Sequence, residues 1–147
     1  MKRLWMLAAL VVAFSGGFLV HGVWPGEPVA HAQGAGRIFE LRTYTAVDAE
    51  KLTALHARFK NHTLKLFEKH GMQNVGYWKP MDAPLSGTTM IYVIAHKSRE
   101  AAKASWTAFQ NDPEWKKVST ESEANGKILA KPPESVYLEA TDYSPLK

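Results

Sequence analysis

The chain has 147 residues, with 18 lysines and arginines against 14 aspartates and glutamates, and no cysteine. A net charge of +4, with basic residues interleaved among acids, gives nucleic-acid binding little electrostatic support. Without thiols, neither disulfides nor thiolate chemistry is available.

Lys2 and Arg3 precede an apolar stretch from Leu4 to Val23, and Ala30-His31-Ala32 is a small-x-small cleavage pattern. Residues 1–32 are therefore expected to be an export signal removed after Ala32. Residues 33–147 then form a single domain in a periplasm or outside the cell, with no stable membrane association. An uncleaved anchor from Leu4 to Trp24 is the competing reading, weakened by Gly16, Gly17 and His21 within the span.

Ile38 to Thr45 alternates at a two-residue period, Phe39 and Leu41 on one face and Glu40, Arg42 and Tyr44 on the other, which predicts a strand. Thr45 and Asp48 then resemble a capping box with aspartate in place of glutamate. Between Ala49 and His70, Leu52, Leu55, Phe59, Thr63 and Leu66 recur every three or four residues, the stripe of one helical face, and Gly71 closes the helix. A second strand is expected over Asn74 to Lys79 and a loop over Pro80 to Gly87. Thr88 to His96 follows as a third strand, apolar on both faces.

Ser98 offers an N-cap, and Asp112-Pro113 a second helix start inside a helical stretch that Gly126 ends. In that stretch Ala102, Trp106 and Phe109 form a large apolar strip. Ala101, Ala104, Ser105 and Ala108 form a small one, expected to let the helix approach the sheet. Ser135 to Ala140 reads as the fourth strand.

The order βαββαβ predicts an α+β, ferredoxin-like domain with a four-stranded antiparallel sheet and two helices on one face. The other face is left open, with Tyr92 and Ile94 expected on it and Tyr137 and Val136 competing for it. An apolar face of that kind calls for a cover, and the simplest is a second copy related by a twofold axis.

FELRTYTA (39–46), RFKNHTLKLFEKHGMQNVGYW (58–78), AHKSREAAKASWTAFQNDPEW (95–115) and ESVYLEATDYSP (134–145) together resemble the NIPSNAP family over nearly all of the chain after the leader. The resemblance implies the dimeric α/β-barrel fold, two ferredoxin-like subunits joined through their sheets. Relatives of that fold include cofactor-free monooxygenases, haem proteins and ligand-binding modules, so the fold does not choose a reaction.

Outside the leader the histidines are His56, His62, His70 and His96. His56 and His62 lie about 120° apart around an ideal helix, and His62 and His70 about 12 Å apart along it, so no metal site is expected and no cofactor is called for. His62, at the edge of the Leu55–Phe59–Leu66 face, is the best catalytic candidate and is expected at the rim of the space between helix and sheet. Its alternative is a purely structural hydrogen bond, and the same alternative holds for His96. His62, His96, Tyr44, Trp78 and Trp106 make up the expected ligand-binding set; aromatics in such an array otherwise simply fill the core. Glu40, Arg42 and Glu139 are charges set among apolar strand residues; if they face an interface, a pairing of Arg42 with a carboxylate is expected, and a solvated sheet edge that discourages aggregation is the competing reading.

No nucleophile elbow, phosphate loop or helically spaced carboxylate pair is present. The expected function is an exported homodimer that binds a small, mostly apolar ligand between helices and sheet. The alternative is a cofactor-independent monooxygenase-like enzyme, with haem binding as a third reading.

Overall fold

In the computed structural model, which describes residues 36–147, four antiparallel strands lie in the order β2-β3-β1-β4. They are β1 (Ile38–Thr45), β2 (Gln73–Trp78), β3 (Thr89–His96) and β4 (Glu134–Glu139). The export signal expected over residues 1–32 lies outside the described residues. Between β1 and β2 runs one helical arm, α1 (Ala49–Arg58) and α2 (Leu64–Lys69), joined by a π-helical turn over Phe59–Thr63. Between β3 and β4 runs a second, α3 (Arg99–Asn111) and α4 (Pro113–Ser122). This is the α+β, ferredoxin-like arrangement that the order of elements predicts.

Local chemistry sets the boundaries. Ser98 accepts from the Ala101 amide at 3.1 Å, and Asp112 accepts from the Glu114 amide at 2.8 Å with Pro113 at the first helical position. The capping box expected from Thr45 does not form, because Thr45 remains in β1 and Asp48 caps α1 alone, accepting from the Lys51 amide. Gly71 takes φ +76°, the left-handed conformation that lets the chain leave α2 for β2. Asp112 also ties the two arms together, bonded by the Lys69 ammonium at 2.7 Å and by His70 Nε2 at 2.6 Å.

The register decides which face of the sheet meets the helices. Arg42 pairs with Tyr92 and Glu40 with Ile94, so Tyr92 and Ile94 share the helix-covered face with Tyr44, and both are fully buried. They had been expected on the open face. Both alternations of β3 are apolar, so its pattern alone could not orient it; the strand beside it does. On β4, Tyr137 is the Cα partner of Glu40 and joins the covered face, whereas Val136, opposite Leu41, faces away.

All five positions of the predicted stripe, Leu52, Leu55, Phe59, Thr63 and Leu66, are buried. Phe59 is the hub of the core, meeting Tyr44, Phe67, Tyr77 and Tyr92 with ring centroids 5.2–6.0 Å apart, mostly edge to face. On α3, Ala102 and Phe109 are buried as expected. The small strip is not the sheet-facing side, because Ala104 and Ala108 are exposed to solvent. Removing the hub side chain leaves a void that rigid neighbouring rings cannot fill. Phe59→Ala is expected to cost about 3–5 kcal/mol of unfolding free energy, measured by urea denaturation.

Candidate functional site

Glu40 projects from the middle of β1 into the layer between sheet and helices and is 1% exposed. Four side chains from four elements donate to its carboxylate. They are His96 Nε2 from the end of β3 (2.9 Å), Trp106 Nε1 from α3 (2.7 Å), Ser135 Oγ from β4 (2.6 Å) and Arg42 from β1 itself (2.6 Å). The Arg42 guanidinium lies 4.3 Å from the Trp106 ring centroid and 5.6 Å from that of Tyr44, packed between two aromatic faces. Burial pushes the Glu40 pKa up, but the bonds from His96, Ser135, Trp106 and Arg42 outweigh it and hold the carboxyl down to about 2. An ionised carboxylate only accepts, so the His96 proton sits on Nε2. His96 Nδ1 is buried and has no hydrogen-bond partner among the described residues.

Beside this cluster opens a cleft of about 580 Å³, where the start of α3 meets the ends of β1 and β4. Ile38, Tyr137 and Leu138 supply its apolar walls, and Lys97, Ser98 and Arg99 its polar rim. Tyr137 is shared between the two features. Its ring centroid lies 6.2 Å from that of His96, and the Arg99 guanidinium carbon lies over the ring, 3.8 Å from the same centroid. Burial and the nearby Glu40 charge raise the Tyr137 pKa, which keeps the phenol neutral.

Of the residues expected at a site, His96 and Trp106 converge on Glu40, and Tyr44 lies next to them across Arg42. Tyr44 is otherwise core, accepting a hydrogen bond from the Tyr92 hydroxyl at 3.0 Å. Trp78 is elsewhere, on the open face of the sheet and 53% exposed. His62 is exposed as well and lines a second cleft, about 330 Å³, between α1 and α4 with Ala54, Arg58 and Glu121. It therefore does not reach the rim between helix and sheet. In the π-turn the Leu64 amide bonds the Phe59 carbonyl five residues back, so the angular step assumed for an ideal helix fails at His62. Glu40 and Tyr137, which join these elements, were visible only as a charge among apolar residues and an aromatic of unassigned face. Among the described residues no group of three or more His, Asp or Glu side chains converges as a metal site.

The NIPSNAP family model matches residues 39–145. The chain belongs to the NIPSNAP family. A NIPSNAP family protein of unknown function from Agrobacterium tumefaciens has a similar structure, with a TM-score of 0.64 at 17% identity over 77% of this chain and 96% of that one. A NIPSNAP-like domain protein from Burkholderia xenovorans is similar at 0.64 and 16% identity, over 77% and 93%. A monooxygenase from Streptomyces coelicolor, solved with nanaomycin D, is similar at 0.53 and 14% identity, over 78% and 96%. At these identities the likeness is one of fold. Among curated proteins there is no match.

Because the folded-state pKa of Glu40 is depressed from 4.5 to about 2, its ionised form contributes stability above about pH 4.5, and the contribution is lost as pH falls toward 2. Glu40→Gln keeps the shape but removes the charge, leaving Arg42 unbalanced. The melting temperature of Glu40→Gln is expected to lie well below that of the wild type at pH 7, and the gap to narrow steadily from pH 4.5 to pH 2. A gap independent of pH would assign the loss to packing alone.

Proposed function

We propose that this NIPSNAP protein is an exported homodimeric binding module, paired with a second copy through the open face of its sheet and holding a small, mostly apolar ligand where the start of α3 meets the sheet. The ligand part rests on the 580 Å³ cleft walled by Ile38, Tyr137 and Leu138. That volume is within the range of small-molecule sites. The aromatic packing of Phe59, Phe67, Tyr92 and Phe109 fills the space deeper between helices and sheet, so the ligand belongs at its edge.

The dimer part rests on the open face, where Leu41, Val93 and Val136 lie side by side in register. Val136 is 54% exposed. Near Phe39 the chain supplies its own cover, since the Arg37 guanidinium lies 5.7 Å from that ring centroid and donates to Gln73 on β2. The apolar strip beyond it is uncovered by any described residue close enough to bury Val136. A twin copy presenting the same strip is a self-complementary partner. Export is supported by Lys2, Arg3, the apolar run after them and Ala30-His31-Ala32.

A second reading, a cofactor-independent monooxygenase-like enzyme, is favoured by the Glu40–His96 pair beside the cleft. An imidazole oriented by a buried carboxylate is a group able to take up a proton. The fold shared with the Streptomyces coelicolor monooxygenase is compatible with this reading.

Light scattering on the chain from Gln33 onward is expected to give the mass of a dimer at micromolar concentration, and Val136→Lys to give that of a monomer; a monomeric wild type would sink the interface. Oxygen uptake during a screen of phenolic substrates is expected to remain at background. Turnover that disappears in His96→Gln would replace the binding reading with the enzymatic one.

A further inference from the structure

The rim of the cleft carries more positive than negative charge, and two of its cations have nothing to neutralise. Lys97 and Arg99 line it, and among the described residues neither forms an ion pair or a side-chain hydrogen bond. Arg37 and Lys147 line it too, but Arg37 is engaged by Gln73 and by the main-chain oxygen of Lys147. Glu139 is the acidic side chain of the lining, and Glu100 stands nearby in the first turn of α3. The two unengaged cations, Lys97 and Arg99, outnumber the one lining carboxylate, an excess that a neutral apolar ligand would not use.

The geometry of Arg99 adds direction to that charge. Its guanidinium is stacked on the Tyr137 ring at 3.8 Å, an arrangement that holds the plane of the fork still while its edge N–H groups stay unused. A planar fork fixed in this way suits an oxyanion, which it can bond through two parallel N–H donors. Lys97, two residues before it, brings a point charge to the same rim. The body of a ligand anchored there would run along Ile38, Tyr137 and Leu138, which are apolar.

We propose that the cleft selects a small organic anion, an oxyanion head attached to an apolar body, with Arg99 and Lys97 taking the head and Ile38, Tyr137 and Leu138 the body. This rests on the binding-module reading and narrows it to a ligand class. Glu40 takes no part in holding the ligand, because its carboxylate is already saturated by four donors.

Decanoate and decanol separate the anion from the apolar body. Calorimetric titration of the full dimer-competent chain is expected to show saturable decanoate binding at least about tenfold tighter than decanol, weakening as sodium chloride is raised. Arg99→Gln and Lys97→Gln, both on the surface, are each expected to weaken decanoate several-fold and to leave decanol unchanged, with melting temperatures near that of the wild type. Equal affinity for the two ligands, or decanoate binding indifferent to both substitutions, would overturn the anion assignment while leaving an apolar binding module standing. Failure of both ligands to bind would overturn the module reading and this inference together.

Discussion

A single ionised carboxylate inside the helix–sheet layer organises this molecule. Removing a charge from water is expensive unless its lone pairs are filled, and a partly filled buried carboxylate would destabilise the fold. Glu40 avoids that by drawing one donor each from β1, β3, β4 and α3. Those four bonds can exist together only when α3 crosses the sheet at one position and β4 pairs with β1 in one register. The knot is thus a constraint on geometry more than a source of net stability. A one-residue slip of β4 would turn Ser135 to the opposite face and leave an oxygen of Glu40 short of a donor.

Much of the architecture could be read from the residues, because the chemistry that marks it is local. The limits of β1 followed from alternation between Ile38 and Thr45, and the helix starts from Ser98 and Asp112, whose side-chain oxygens accept nearby amides. The buried stripe of the first arm followed from spacing. What escaped was non-local or lacked a side-chain signature. The π-turn is a main-chain event at Phe59–Thr63, and it moved His62 away from the position that an ideal helix implies. The facing of β3 depended on a neighbour, since Tyr92 and Ile94 are as apolar as Ile91 and Val93. Glu40 was conspicuous as a charge among apolar residues, but the donor that completes its set, Ser135, is 95 positions further along the chain.

Fold and family constrain this protein more tightly than they describe its chemistry. The NIPSNAP match covers the whole described domain apart from its ends, and similar structures include proteins of unknown function beside a monooxygenase. What separates this chain from an empty scaffold lies at one end of the sheet. There the aromatic wall of Tyr137 divides the saturated interior cluster from an open cleft edged by unpaired cations.

The two outermost strands differ from the open face in what they permit. β2 is short, irregular in register between Asn74 and Gly76, and followed by Lys79-Pro80; β4 comes after Pro132-Pro133 and begins and ends on glutamate. Prolines, bulges and like charges at such margins obstruct the main-chain pairing by which sheets grow sideways into fibres. Lateral polymerisation is therefore guarded at both borders, and crowding of the folded protein should not zip its sheets edge to edge into fibres.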